Sequence, residues 1–212
     1  MLTIEVLTFG PFQENTYLLY NDAKECAVID PGCYEDYEKK MLLKAIEDLQ
    51  LQPKFLLNTH CHLDHVFGNK LVAETFGLQP WIHPKEAPVL QRAPESGLRF
   101  GLPFDAYEGP LQWLEEGTEL VLGTDRLKIL FTPGHSPGSV AFYCETQKIV
   151  IGGDVLFRQS IGRTDLPGGD HATLLSSIRR ELWPLRDDVV VLSGHGTQTT
   201  IGHEKRENPF LK

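Results

Sequence analysis

Cysteine is scarce in this chain and its spacing is uninformative: Cys26, Cys33, Cys61 and Cys144 form no CxxC pair and match no zinc-finger pattern. A disulfide scaffold and a thiolate zinc site are therefore disfavoured. The thiols are expected to be reduced, with Cys26 and Cys144 as small core residues and Cys61 turned inward between its neighbours. No apolar run approaches the roughly 20 residues of a spanning helix, and residues 1–6 lack the basic stretch of a secretion signal. A cytoplasmic location and no membrane partner are the expectations. Positive charge is also short. Against 29 Asp and Glu stand 20 Lys and Arg, scattered along the chain, for a net charge of −9. A nucleic-acid surface would need a basic patch to overcome that field, so nucleic acid is not an expected partner. The 212 residues suffice for one sizeable domain, and nothing in the composition forces two.

What the chain does have is His60-Cys61-His62-Leu63-Asp64-His65, three imidazoles and a carboxylate directly after the apolar run Phe55-Leu56-Leu57. Imidazole nitrogen and carboxylate oxygen suit zinc, iron or manganese. In an extended segment alternate side chains share a face, so His60, His62 and Asp64 can converge while Cys61 and Leu63 point away. His65 breaks the alternation. It joins the cluster if the chain turns at Asp64, for example into a helix starting at Val66, or if it serves a second metal.

Short β-type runs at residues 2–8, 16–20 and 26–29 are separated by turn signals and read as a meander. At residues 34–49 the period changes: Leu42, Ile46 and Leu49 share a stripe, which predicts an amphipathic helix. Residues 70–76 predict a second helix stopped by Gly77, and residues 80–84 a short strand. The Pro-, Gly- and aromatic-rich stretch 93–110 reads as a surface loop able to close over a site. Strands return at residues 120–122, 127–132, 140–143 and 149–151. Asp170 then caps a helix carrying Leu174, Ile178 and Leu182, and a last strand at 189–192 precedes a polar tail. This order predicts two sheets covered on their outer faces by helices.

Three of the later strands share one grammar. Residues 127–131 lead to Gly134-His135, residues 149–151 to Gly153-Asp154, and residues 189–192 to Gly194-His195. Each is an apolar strand, then glycine, then one residue able to bind metal; glycine lets the backbone turn tightly or approach a ligand closely. His60, His62 and His135 can give one metal three nitrogens. Asp64, His65 and His195 can give a second metal a mixed set, and Asp154 has two oxygens with which to bridge them. Both metals would keep an open position, as catalytic rather than structural metals do.

This ordered set, with Ile29-Asp30-Pro31-Gly32 ahead of it, resembles the metallo-β-lactamase fold superfamily over most of the chain. The resemblance implies an α+β, four-layer αββα sandwich with its metals at one edge of two sheets. Asp154, where zinc β-lactamases of the commonest subclass carry Cys, and His65, where they carry Arg, point instead to the glyoxalase II branch, the hydroxyacylglutathione hydrolases. Gly162-Arg163-Thr164-Asp165, Gly168-Gly169-Asp170-His171 and the ending at 204–211 are similar to short single-domain bacterial members. One domain over 1–212 is implied, without the C-terminal helical domain that supplies much of the glutathione site in longer enzymes.

A hydrolase of small-molecule thioesters is the implied activity, with two divalent metal ions, zinc first and iron or manganese as alternatives. Asp64 is the implied catalytic residue, holding the nucleophile in line as well as ligating metal. An iron-dependent persulfide dioxygenase, which the chain resembles through His60, His62, His135, Asp154 and Gly162-Arg163-Thr164-Asp165 and in which a single iron uses two His and one Asp, and a lactonase are the competing readings. Arg163 could hold a substrate carboxylate through its planar fork or pair with Asp165. Asp30 could orient a ligand histidine or simply form a turn. His83, His171 and His203 lack the strand-glycine context and are expected outside the site, and Trp81, Trp113 and Trp183 are expected to pack in the core or at its rim. The oligomeric state is open.

Overall fold

The computed structural model describes residues 2–212. In chain order the first half contains β1 (Thr3–Phe9), β2 (Glu14–Tyr20), β3 (Glu25–Ile29), α1 (Asp36–Asp48), β4 (Gln52–Leu57), α2 (Leu63–Val66), α3 (Asn69–Phe76), β5 (Pro80–Ile82), α4 (Ala87–Arg99) and β6 (Gln112–Trp113). The second half adds β7 (Glu119–Leu122), β8 (Asp125–Phe131), β9 (Val140–Cys144), β10 (Ile149–Gly153), the small hairpin β11 (Leu156–Phe157) and β12 (Ser160–Ile161), α5 (His171–Ser177), β13 (Val190–Ser193), β14 (Thr199–Thr200) and α6 (Ile201–Glu207). One sheet runs β1-β2-β3-β4-β5-β6 and the other β14-β13-β10-β9-β8-β7.

Strand alternation builds the layers. In β2 and β3, Tyr17, Leu19, Ala27 and Ile29 face Leu127, Ile129, Val140 and Phe142 of the other sheet. The intervening Leu18, Cys26 and Val28 turn the opposite way, against Leu42 and Ile46 of α1 and Val72 of α3. In the second sheet Leu130, Ala141, Val150 and Val191 do the same against Leu174, Ile178 and Ile201. The period of two thus makes both faces of each sheet apolar, which is the signature of strands covered on both sides. The outcome is the expected αββα sandwich, with α1 and α3 outside one sheet and α5 and α6 outside the other. Each fully buried Leu or Phe contributes about 1.5–3 kcal/mol to holding these layers together.

Strand direction decides where the site lies. β3, β4, β5 and β6 are parallel, as are β10 and β13, while β8 and β10 both run antiparallel to β9. The C-terminal ends of β3 and β4, and those of β8, β10 and β13, therefore lie together within their own sheets. Contacts between the sheets join the two groups into one edge: Glu14 bridges to His195, and the Val140 amide donates to the Thr59 carbonyl at 2.8 Å.

Two segments differ from the sequence-based expectation. Residues 93–110 are not wholly a loop, because α4 continues through Pro94 to Arg99. Its buried side is made of Leu90, Ala93 and Gly97, and Gly97 packs directly beneath the Leu102 carbonyl. The polar tail is also structured: Thr200 caps α6 by accepting from the His203 amide at 3.2 Å. Buried Glu204 accepts from Thr199 Oγ1 at 2.5 Å, the Gln159 amide at 2.9 Å and Asn208 Nδ2 at 2.8 Å, pinning the helix down. Among the described residues no helix is long and apolar enough to cross a membrane.

Candidate metal centre

The chain leaves β4 extended through His60 to His62, then turns into α2 at Leu63, two residues before His65 and three before the helix start expected from the sequence. That early turn is what carries His65 round to the ligand side; its amide donates to the His62 carbonyl at 3.1 Å. Cys61 points away into an apolar cluster with Val66, Ile82, Leu90 and Ala93, and complete burial pushes its thiol well above its ordinary pKa. Cys26, Cys33 and Cys144 are likewise buried and unpaired by disulfides.

All seven residues predicted as ligands come together. His60, His62 and His135 form one set whose ligand atoms lie within 4.8 Å of one another; Asp64, His65 and His195 form a second. Asp154 stands between them. Its Oδ2 is 3.6 Å from His135 Nε2 and 3.4 Å from His195 Nε2, while its Oδ1 is 3.5 Å from His65 Nε2. Asp64 Oδ2 reaches His195 Nε2 at 3.2 Å and His65 Nε2 at 3.9 Å.

Hydrogen bonds on the far side of four rings fix which nitrogen each presents. His135 Nδ1 donates to the Arg163 carbonyl at 2.8 Å and His195 Nδ1 to the Phe12 carbonyl at 2.9 Å, since a carbonyl can only accept. His65 Nδ1 donates to Asp30 Oδ2 at 3.0 Å. Thr59 Oγ1 gives its proton to Asp30 at 2.5 Å, so it receives one from His60 Nδ1 at 3.1 Å. The Nε2 atoms of His60, His65, His135 and His195 are therefore the inward-facing ligand atoms, with His62 presenting Nδ1 2.8 Å from His135 Nε2. Such outward anchoring is the usual partner of a metal-bound histidine. Asp30 orients a ligand, as one of the two sequence readings required.

Two observations test whether a cation fits. The inward nitrogens of His60 and His135 are 3.2 Å apart, and with the ring protons on Nδ1 in both, two lone-pair nitrogens meet there with no proton between them. His65 Nε2 and Asp154 Oδ1 are buried with no hydrogen-bond partner beyond their own long approach of 3.5 Å, and a cation between them would satisfy both. The donor set fits a pair of divalent metal ions.

The electrostatics differ between the two sets. Burial, reinforced by neighbouring imidazoles, lowers His60 and holds His62 down to about 3, so both are neutral ligands near pH 7. Burial lowers His135 as well, partly countered by Asp154. In the second set burial acts in the same direction but loses: Asp154, Asp64 and Asp30 raise His65 well above its ordinary value, and hydrogen bonds to Asp154 and Asp64 lift His195 to about 10. Both aspartates respond in kind. Burial pushes Asp64 and Asp154 up, but the adjacent His65 and His195 more than reverse it and keep them ionised.

Glycine is required where backbone and ligand come closest. A Cβ on Gly194 would collide with Asp154 Oδ1 and come within 2.7 Å of His65 Cε1; Gly153, at φ 51, would press one onto Thr59. Glu86 has no sequence signal, being one acid at the end of a short turn, yet its buried carboxylate ties the ligand loops together. Its Oε2 accepts from the Cys61 amide at 2.8 Å; its Oε1 accepts from Ser136 Oγ and the Gly138 amide, each at 2.6 Å. It thus clamps the residue between His60 and His62 to those following His135.

Arg163 lines the cavity beside the centre, but both arms of its fork are held by Asp165 at 2.7 Å. His171 begins α5, His83 stacks on Phe131 with ring centroids 4.5 Å apart, and His203 lies on α6, all outside the ligand set. Trp81 and Trp183 pack against the core; Trp113 is exposed. The cavity measures about 1110 Å³, and Asp64, Asp154, His62, His135 and His195 form part of its wall.

The model of the metallo-beta-lactamase superfamily matches residues 9–195. Hydroxyacylglutathione hydrolase GloC of Haemophilus influenzae is 45% identical over 213 residues, covering 99% of this chain and 98% of that protein. Among solved structures, the B3 metallo-beta-lactamase BLEG-1 superposes with a TM-score of 0.91 at 41% identity, covering 99% of this chain and 100% of that one. TTHA1623 in a di-iron-bound form gives 0.88 at 40% identity, covering 98% and 100%. A superfamily match over nearly the whole chain, on a ligand set that fits two metal ions, establishes that this chain belongs to the metallo-beta-lactamase superfamily and is one of its metallo-hydrolases.

Proposed function

We propose that the chain hydrolyses small thioesters of the hydroxyacylglutathione type at a two-metal centre held by His60, His62, His135, Asp64, His65, His195 and the bridging Asp154. The observation that carries this reading is the position of Asp154, within 3.6 Å of ligand nitrogens in both sets, at the wall of a cavity large enough for a tripeptide thioester. A pair of divalent cations held there would lower the pKa of bound water towards neutrality and polarise a carbonyl oxygen.

The chain's own groups supply the rest. Asp64 stays ionised beside His195 and faces the cavity, so it can accept a hydrogen bond from the attacking water and hold it in line with the carbonyl carbon. The thiolate is a good leaving group and needs no general acid. Glu86 and Asp30 keep the ligand loops fixed while charge develops, which limits reorganisation. Arg163 can reach a substrate carboxylate after exchanging Asp165 for it. Zinc is the proposed metal, and iron the alternative favoured by the di-iron form of TTHA1623. With this reading go a single domain, a cytoplasmic location and a small-molecule partner.

The deciding experiment is thiol release from S-lactoylglutathione by metal-loaded protein under argon, with a β-lactam, a γ-lactone and a glutathione persulfide assayed in parallel. Thiol release without oxygen, exceeding turnover of the others, is the expected result. Turnover of the persulfide that consumes oxygen, with no anaerobic thioester cleavage, would replace this reading by the dioxygenase one. Preferential lactam cleavage would align the chain with the activity for which BLEG-1 is named.

A further inference from the structure

Apart from the metal ligands, the cavity wall carries a charge pattern that the reaction itself does not use. Outside the metal set, the cavity is lined by four cations, Lys85, Arg92, Arg99 and Arg163, against a single acid, Glu95. In a chain of net charge −9 that is a local reversal of sign. Three of the four come from α4 and the turn that leads into it, spaced seven residues apart. Two helical turns separate each from the next, so they form one row, displaced from the buried row Leu90, Ala93 and Gly97.

The four are not equally available. Arg99 is taken by Glu95 at 2.6 Å, and Arg163 by Asp165. Arg92 makes no ion pair among the described residues, and Lys85 has only the Phe131 ring, 4.8 Å from its ammonium. Lys85 sits on the 3-10 turn ahead of α4 and Arg92 within the helix, so at 2.0 and then 1.5 Å of rise per residue the two lie roughly 10–12 Å apart along it. A tripeptide spans about the same length when extended, at 3.3–3.6 Å per residue.

We propose that Lys85 and Arg92 form a two-point anion site on the cavity face of α4 that binds the thiol half of the substrate through two carboxylates about one tripeptide length apart. The proposal rests on the thioesterase reading above and names how that site selects its substrate. It also gives α4 a purpose: Glu86, one residue from Lys85, ties the start of this helix to both metal-ligand loops, so the anion site and the metal centre share one rigid connection. A ligand held along α4 is thereby placed in fixed relation to the reacting carbon.

The test is calorimetric binding of S-hexylglutathione, whose blocked sulfur presents no thiolate to a metal, and of its diester, which lacks both carboxylate charges. Lys85 and Arg92 are exposed, so Lys85→Ala, Arg92→Ala and the double variant leave the core untouched. A hydrogen bond to a charged group accounts for about tenfold or more in affinity. The diacid is expected to bind the wild type about tenfold or more tighter than the diester, and the double variant to lose that preference. Equal affinity for diacid and diester, a double variant within twofold of wild type, or a loss produced only by Arg163→Ala would each overturn the proposal. Binding is read without turnover: a chain that binds the diacid through α4 but cleaves no thioester upholds this site and removes the thioesterase reading, while the reverse result removes only this site.

Discussion

Glu86→Gln isolates the clamp between the two ligand loops. The carboxylate accepts on both oxygens, from Ser136 and Gly138 on one and from Cys61 on the other. Glutamine keeps one acceptor and turns an NH₂ towards at least one of those donors, leaving a buried N–H facing another. Burial raises the Glu86 pKa, but three donors aimed at it favour its charged form, so the native interactions are charge-assisted. Loss of one such bond with a stranded donor costs about 3 kcal/mol, which in a chain of this size lowers Tm by about 6–12 °C. The more telling effect is local. A partner that orients ligands changes metal affinity by about 10–100-fold, so metal held by His60, His62 and His135 should be lost first on dialysis. Glu204→Gln is the control, since Glu204 is equally buried and also accepts three hydrogen bonds, but from Gln159, Thr199 and Asn208, none of them a ligand or adjacent to one. The assay is thermal unfolding together with metal analysis of both variants. If Glu86→Gln lowers Tm but keeps its metal as Glu204→Gln does, the clamp is only structural and the reasoning fails.

Other outcomes follow from the same geometry. Asp154→Ala should deplete both metal positions, whereas His65→Ala should chiefly empty the one shared with Asp64 and His195; unchanged metal-to-protein ratios would contradict this. Gly194→Ala drives a methyl into Asp154 Oδ1 and should reduce kcat/KM by about a hundredfold, the scale of an ångström-sized misplacement, while Gly152→Ala, whose Cβ meets only Val191 at 3.7 Å, should retain activity. Metal uptake should depend on pH in one direction. Below its folded pKa of about 10 the metal-free His195 carries a proton that a cation must displace, so affinity of the second set rises with pH towards that value, with proton release. His62, held at about 3, has no such proton above pH 5. Calorimetry in two buffers of different ionisation enthalpy reads the difference; equal proton release by both equivalents would sink it.

The ligand set was legible because its chemistry is local in sequence: imidazoles and carboxylates at strand ends after glycine, each on a strand whose apolar alternation fixes where it stops. The turn at Leu63 was not legible to the residue. His62 at the N-cap makes no side-chain capping bond, so no polar signal announces α2. Helix α4 was hidden by Pro94, which removes a hydrogen bond from the helix interior, and not by a lack of period, since its polar and apolar sides are at least as well separated as those of α1 and α3. Its stability comes instead from close packing of Gly97 and from Leu90 in the cluster around Cys61, contacts made only in the folded state. Glu86 and Arg92 were invisible for a related reason: a single charge acquires meaning from what surrounds it in space. Arg163 shows the converse, a residue singled out by its motif that the fold places at the cavity yet occupies with its neighbour Asp165.

The central claim is that seven side chains hold two metal ions joined by Asp154. Anomalous diffraction from crystals of metal-loaded protein, recorded on either side of the metal absorption edge, tests it most directly. The account predicts two peaks roughly 3.5–4 Å apart, one among His60, His62 and His135, the other among Asp64, His65 and His195, with Asp154 between them. A single peak at full occupancy under saturating metal, or a second peak away from Asp64 and His195, would contradict it.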